Sequence, residues 1–154
     1  QYVKQDLLEN IYSLSKKYIT NRLFITGHSS GAACATLMVY DINLNNKDLD
    51  IVYFFNFGSP RVGNKNFANS FNNITAFRIT HYYDMVPHVP EEFLGFQHIQ
   101  REIWYNKDNT NYDICNDKEK EDSTCSNSCA PLHCTSTSDH LNYLNVSMGS
   151  EVCI

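Results

Sequence analysis

The segment that most constrains the fold is a Gly-x-Ser-x-Gly turn between a predicted strand and a predicted helix. Residues 23–25 are apolar and predict the end of a buried strand, and Gly27-His28-Ser29-Ser30-Gly31 follows at once. Residues 32–44 then predict a helix whose first turn is rich in alanine. In this context the turn is a nucleophile elbow, which holds its central serine, Ser29, in a strained conformation with Oγ exposed.

The residues around Ser29 have separate expected roles. A side chain at Gly27 or Gly31 would crowd the crossing of strand and helix, so both glycines are expected to be required. The backbone N–H of Ser30, at a helix N-terminus, is expected to point to where an oxyanion would form. The alternative is an ordinary turn without catalytic function, because the pentapeptide also occurs by chance.

Length and charge narrow the class of protein. The chain has 154 residues, a length that predicts one domain. Of these residues 42% are apolar and 13% aromatic, which is enough to build a hydrophobic core. The net charge is −5 and no basic stripe is present, which argues against a nucleic-acid partner. No apolar run approaches the length of a transmembrane span.

The cysteines predict disulfides and an oxidising compartment. Four of the six crowd into one polar loop, and they include no C-x-x-C pair, so disulfides are favoured over zinc and no metal is expected. A secreted or extracellular location follows from disulfides. Two triplets have the form of N-glycosylation acceptors, at Asn73 and Asn145. The four loop cysteines are Cys115, Cys125, Cys129 and Cys134.

The remaining pattern predicts an α/β fold with a mostly parallel sheet and helices on both faces. The continuous apolar run 51–57 predicts a strand buried on both faces, as in a parallel sheet covered by helices. Other predicted elements are an amphipathic helix from Tyr2 to Tyr18, a short helix at 65–71, a strand at 75–80, an alternating and antiparallel edge strand at 98–105, a loop at 106–139 and a short helix at 140–148.

The predicted sheet is incomplete. In the α/β-hydrolase fold the elbow strand has partners on both sides, but residues 1–22 have room for one helix and no strand. One edge of the elbow strand would therefore be bare, which natural sheets avoid. We expect residues 1–154 to be a single, partial α/β-hydrolase domain whose preceding strands are missing.

Ser29 requires a base and an acid, which follow it in the order Ser, Asp, His in this fold. His140 comes last among the histidines, in a loop before a predicted helix, and is the predicted base. Asp84 follows a strand at its carboxyl end, where functional groups collect, and is the predicted acid. Asp139 and Asp41 are weaker candidates. The alternatives are a turn residue at Asp84 and a helix-cap neighbour at His140.

Several blocks together resemble the fungal-type class 3 triacylglycerol lipases over nearly the whole chain. The blocks are GHSSGAA at 27–33, FGSPRVGN at 57–64, HYYDMVPHVP at 81–90, GFQHIQREIWY at 95–105, CSNS at 125–128 and DHLNY at 139–143. The resemblance implies a serine ester hydrolase that needs no cofactor and hydrolyses carboxylic esters, triacylglycerol above all, through an acyl-enzyme at an oil–water interface. A feruloyl-type esterase or phospholipase on the same fold, or a non-catalytic lipase-like fragment, remains open.

The resemblance also assigns individual residues. It implies Ser29, Asp84 and His140 as the catalytic triad and the Ser30 N–H as one oxyanion donor. It implies acyl-groove positions at Pro60, Val86 and Leu141. It further implies a Cys115–Cys125 disulfide and a partner for Cys153 near the family's N-terminus. Independently of the resemblance, the closeness of Cys129 and Cys134 in the sequence suggests a local disulfide. Cys34 is expected to be a buried free thiol.

The chain departs from the family at the elbow and upstream of it. Ser30 stands where the family usually has Leu, and Ala32 where Gly is common, but neither change removes a catalytic group. The family's second oxyanion donor and its amphipathic lid are expected to lie upstream of Gln1. We therefore expect weak or no activity from these residues alone.

Overall fold

A computed structural model describes residues 2–116, 118, 120–129 and 133–149 of the chain. Short 3₁₀ turns lie at 86–88, 92–94 and 126–129. The helices and strands are α1 (Tyr2–Tyr18), β1 (Arg22–His28), α2 (Ser30–Asn45), β2 (Asp50–Phe57), β3 (Gly63–Asn64), α3 (Lys65–Asn69), β4 (Ala76–His81), β5 (Phe96–Gln97), β6 (Glu102–Tyr105), β7 (Tyr112–Ile114), α4 (Thr137–His140), β8 (Asn142–Tyr143) and β9 (Val146–Ser147).

The main sheet has five strands in the order β1-β2-β4-β6-β7. The first four are parallel, and β7 adds an antiparallel edge. This confirms the α/β class and the mostly parallel sheet. Because parallel strands end at the same edge, the segments that follow β1, β2 and β4 are brought together there.

The hydrophobic core lies on the face of the sheet that α2 covers. Its buried members come from α2, β2, β4 and the segments beside them, and Ile25 of β1 packs against them. Phe54 of β2 belongs to this core, whereas the next residue, Phe55, stacks on Phe77 on the other face, as alternation along a strand requires. The buried core residues are Val39, Phe54, Phe71, Ile74, Ala76 and Ile99.

The opposite face carries an aromatic ladder that runs across three strands. Phe24 contacts Tyr53, Tyr53 contacts Phe55, and Phe55 stacks on Phe77 with ring centroids 5.3 Å apart. Phe24 is 66% exposed and Tyr53 is 40% exposed. The prediction that β2 is buried on both faces is therefore confirmed only for the core face.

Several sequence predictions of local structure are wrong. The strand at 98–105 is shorter, and β6 pairs in parallel with β4 inside the sheet rather than lying at an antiparallel edge. The segment 140–148 is no helix, because Leu144 and Asn145 adopt positive φ and turn the chain into the β8–β9 hairpin. Cys34 is free but exposed, since it faces outward from α2.

Among the described residues, none of the helices has the length and apolarity needed to cross a bilayer.

Candidate functional site

The turn between β1 and α2 has the backbone geometry of an elbow. Ser29 has φ 56° and ψ −129°, and α2 begins at the next residue. A Cβ on Gly27 would lie 2.6 Å from the carbonyl oxygen of Gly31 and 2.8 Å from backbone atoms of Ala32, so glycine is required there. A Cβ on Gly31 would meet nothing described within 4 Å. The expectation that packing requires both glycines is therefore wrong for Gly31, which lies on the exposed side of the first helical turn.

Three side chains from distant parts of the chain form one hydrogen-bonded path. The Oγ of Ser29 lies 2.8 Å from Nε2 of His140. The Nδ1 of the same ring lies 2.9 Å from Oδ2 of Asp84. Asp84 accepts at this distance, so Nδ1 carries the proton, and Nε2 is left to accept from the serine hydroxyl.

The carboxylate of Asp84 is buried, and both of its oxygens accept hydrogen bonds. It is 2% exposed. Its Oδ1 accepts from the backbone N–H of Val86 at 2.8 Å, and its Oδ2 also accepts from the hydroxyl of Tyr143 at 2.5 Å. Burial raises the pKa of Tyr143, and the neighbouring carboxylate raises it further, so this hydroxyl remains a donor.

Backbone contacts join the loop of the acid to the loop of the base. Asp84 forms a parallel bridge with Ser136, and the N–H of Ser136 donates to the carbonyl of Tyr83. The hydroxyl of Ser136 then accepts from the N–H of Asp139 and caps α4, whose last residue is His140. The two loops, 56 residues apart in sequence, are thus fixed as one unit.

The rival acids do not contact the base. Oδ2 of Asp139 accepts from the backbone N–H of Tyr83 at 3.3 Å. Asp41 lies on α2 and is paired with Lys4 at 2.7 Å.

The expected oxyanion residue and two of the three expected groove residues lie close in sequence to members of the triad. Ser30 is the first residue of α2, where backbone N–H groups have no intrahelical acceptor. Val86 follows the acid by two residues, and Leu141 follows the base directly and is 47% exposed. Pro60 is half-buried and lines a small internal cavity beside Asn56. An open cleft of 670 Å³ lies next to Met85, and none of the residues that line it belongs to the path.

The structure adds three residues to the site that the sequence interpretation missed. Gly58 follows β2 with φ 54°, and a Cβ there would lie 2.9 Å from Oδ2 of Asp84 and 3.1 Å from Nδ1 of His140. Tyr143 donates to the acid, and His28 stacks on the base. A glycine directly after an apolar strand was a usable signal for Gly58; the other two contacts depend on tertiary packing.

Both predicted local disulfides are formed. Cys115 is bonded to Cys125, and Cys129 to Cys134. Two groups of His, Cys and Glu side chains, around His88 and around Glu102, bring possible metal ligands together, but each includes the two sulfurs of a disulfide, which are not thiolates. Cys153, whose partner was expected near the family's N-terminus, itself lies outside the described residues.

Comparison with known proteins places this geometry beside fungal lipases. The profile of the family "Lipase (class 3)" matches residues 1–94. The chain is 40% identical to a lipase of Rhizopus niveus over 138 residues, which cover 85% of this chain and 34% of that protein. It is 38% identical to a secreted mono- and diacylglycerol lipase of Malassezia restricta over 115 residues, which cover 71% of this chain and 37% of that protein.

A solved structure is similar as well. It is described as a triacylglycerol lipase whose catalytic centre is a serine protease triad, and it superposes with a TM-score of 0.82 at 32% identity. The match covers 96% of this chain and 56% of that one. The chain thus spans about a third of the length of the two curated relatives. The α/β-hydrolase fold expected from the sequence is confirmed.

Proposed function

Because this chain belongs to the class 3 lipase family, we propose that it hydrolyses carboxylic esters of acylglycerols through a Ser29–His140–Asp84 triad. The observation that supports this most directly is the continuous path of hydrogen bonds from Ser29 Oγ through both ring nitrogens of His140 to Asp84. The positive φ of Ser29, at the turn from β1 into α2, is the backbone geometry of a nucleophile elbow and supports its role as nucleophile.

In the proposed reaction one proton moves from Ser29 Oγ to Nε2 of His140, and Asp84 does not take it up. As Ser29 Oγ attacks the ester carbonyl, Nε2 of His140 takes the hydroxyl proton, and Asp84 stabilises the resulting imidazolium. The backbone N–H of Ser30 donates to the oxyanion of the tetrahedral intermediate. When the intermediate collapses, Nε2–H gives its proton to the leaving alcohol and an acyl-enzyme remains.

Water completes the proposed cycle. His140 removes a proton from a water molecule, which attacks the acyl carbonyl; the acyl–oxygen bond to Ser29 breaks, and the serine oxygen takes the proton back from Nε2. The products are a fatty acid and the regenerated enzyme. Each step uses only protein groups and water.

Apolar side chains beside the triad support a fatty acyl substrate. Val86 and Leu141 flank the acid and the base, and Met85, Val89 and Phe93 are exposed along the loop after Asp84. Apolar side chains left exposed beside a reactive centre are typical of sites that bind apolar ligands. We propose that the groove formed with Pro60 holds the acyl chain and that the substrate is an acylglycerol at an oil–water interface.

Two features support a secreted protein. The two disulfides require an oxidising compartment, and one of the relatives is named a secreted lipase. Asn73 and Asn145, which begin the two glycosylation triplets, are both exposed.

Covalent labelling of Ser29 tests the proposed function without requiring full turnover. We expect a fluorophosphonate to label the chain at Ser29 and expect Ser29→Ala to abolish the labelling. Ser30→Ala is the matched control, because Ser30 contributes only its backbone N–H and labelling should continue. Lack of labelling in the wild-type chain, or labelling that survives Ser29→Ala, would contradict the proposal. Short and long p-nitrophenyl esters then report the acyl preference.

A further inference from the structure

His28 precedes the nucleophile, yet its ring is turned to the base. The rings of His28 and His140 are stacked, with centroids 4.6 Å apart and planes inclined by 29°. His28 ends β1 and His140 ends α4, so this contact joins the elbow strand to the base segment across 112 residues.

A hydrogen bond accompanies the stacking. Nε2 of His28 lies 2.8 Å from the backbone carbonyl oxygen of His140. A carbonyl oxygen can only accept, so Nε2 of His28 carries a proton and donates. Burial lowers the pKa of His28, which favours the neutral ring beside a base that becomes an imidazolium.

This contact satisfies a group that α4 cannot satisfy by itself. The last carbonyls of a helix have no partner within it, and α4 has four residues, too few to be stable alone. The donor from β1 therefore fixes the backbone from which the base projects.

The acid alone does not fix the plane of the imidazole ring. A single hydrogen bond between Nδ1 of His140 and Oδ2 of Asp84 leaves the ring free to rotate about the line joining those atoms. Such rotation would move Nε2 away from Ser29. The stacked ring of His28 restricts it from the side.

We propose that His28 is a positioning residue that holds the ring and backbone of His140 in register with Ser29. The proposal rests on the proposed function, in which His140 is the base. It differs from that function because His28 touches neither the substrate nor the reacting oxygen. His28 links the nucleophile to the base through β1, so a displacement of Ser29 also displaces His140.

Two substitutions separate the ring from the donor. His28→Phe keeps a stacked aromatic ring and loses the donor, and His28→Gln keeps a donor near the Nε2 position and loses the ring. Misplacement of catalytic groups by about 1 Å costs roughly 100-fold in rate, so we expect about 10- to 100-fold slower fluorophosphonate labelling in His28→Phe. His28→Gln should recover part of this loss. His133→Gln, at an exposed histidine outside the site, is the control and should label at the wild-type rate.

The second readout is the low-field proton signal of the His140 Nδ1–H in the NMR spectrum, which depends on the geometry to Asp84 and not on turnover. We expect it to shift or broaden in both His28 variants and to be unchanged in His133→Gln. Wild-type labelling rates and an unchanged signal in a folded His28→Phe or His28→Gln protein would overturn the proposal. If the wild-type chain is not labelled but the His28 variants still change the Nδ1–H signal, the proposed function is contradicted and the positioning role of His28 is supported.

Discussion

The elbow and the base segment reach the same site by different physical routes. The elbow, residues 22–45, is contiguous: β1 leads into α2, and the carbonyl of Ser29 accepts from the N–H groups of Ala32 and Ala33. The base segment, residues 133–149, contains one four-residue helix and a hairpin of two-residue strands. Such short elements have little stability of their own.

The base segment is therefore held by contacts from elsewhere in the chain. His28 and His81 donate to the carbonyls of His140 and Asp139, and Asp84 bonds to Tyr143. The elbow is sensitive to steric change at one backbone position, whereas the base segment is sensitive to the loss of distant partners. Substitutions at each place distinguish these two kinds of sensitivity.

The largest effect is expected within the elbow. Gly27→Ala places a Cβ against the backbone of Gly31 and Ala32, and we expect it to lower the free energy of unfolding by about 3 kcal/mol. Gly31→Ala is the matched control: its Cβ meets nothing described within 4 Å, so it should raise that free energy by about 0.5 kcal/mol through helix propensity. Urea denaturation of both variants provides the measurement. Equal effects of the two changes would contradict the steric account.

The next effect concerns the disulfides that precede the base. In the chain-entropy model, loss of the Cys115–Cys125 bridge, with sequence separation 10, lowers the free energy of unfolding by roughly 2.7 kcal/mol. Loss of Cys129–Cys134, with separation 5, costs about 2 kcal/mol. Denaturation of the two double alanine variants tests the order. If removal of Cys129–Cys134 lowers the free energy of unfolding more than removal of Cys115–Cys125 does, then native contacts, and not loop closure, determine how much each disulfide stabilises the chain.

A pH effect is expected from the histidine behind the acid loop. Burial, and then the charge of Arg61, lowers the pKa of His88 to about 4. In the unfolded chain this histidine has a pKa of about 6.5, so between about pH 6.5 and pH 4 it is protonated in the unfolded chain and neutral in the folded one. The contribution of His88 to the free energy of unfolding is therefore fully present above about pH 6.5 and is lost as the pH falls towards 4. We expect a loss of about 2 kcal/mol between pH 7 and pH 5.

His88→Leu tests this contribution. Denaturation at several pH values should show a shallower dependence in the variant. Some dependence should remain, because burial also lowers the pKa of His98. His133→Leu removes an exposed histidine and should leave the dependence unchanged. A slope that His88→Leu does not alter would assign the acid sensitivity to other groups.

The smallest effect is expected from the donor to the acid. Tyr143→Phe removes one hydrogen bond to the Asp84 carboxylate. We expect the activation free energy of Ser29 labelling to rise by about 1.5 kcal/mol, which makes labelling about tenfold slower. Tyr112→Phe, on the exposed edge strand β7, is the control and should label at the wild-type rate. Unchanged labelling of Tyr143→Phe would show that the other donors suffice to hold the acid.

The sequence was informative where the structure is local. The helix Tyr2–Tyr18 was predicted to the residue, because its apolar positions recur with helical spacing. The strand–turn–helix context located Ser29, and chain order selected Asp84 and His140, which the structure joins by hydrogen bonds. The sequence was misleading at 98–105, where alternation indicated an edge strand that pairs inside the sheet.

Tertiary structure decided the contacts between segments that are far apart in the chain. No local pattern indicates that His28 stacks on His140, that Tyr143 donates to Asp84, or that Gly58 leaves room for both. Periodicity and turn chemistry express the preferences of neighbouring residues, and these determined the class of fold and the elbow. The position of the base depends on which carbonyls and carboxylates remain unsatisfied after the sheet has formed, and only the assembled structure contains that information.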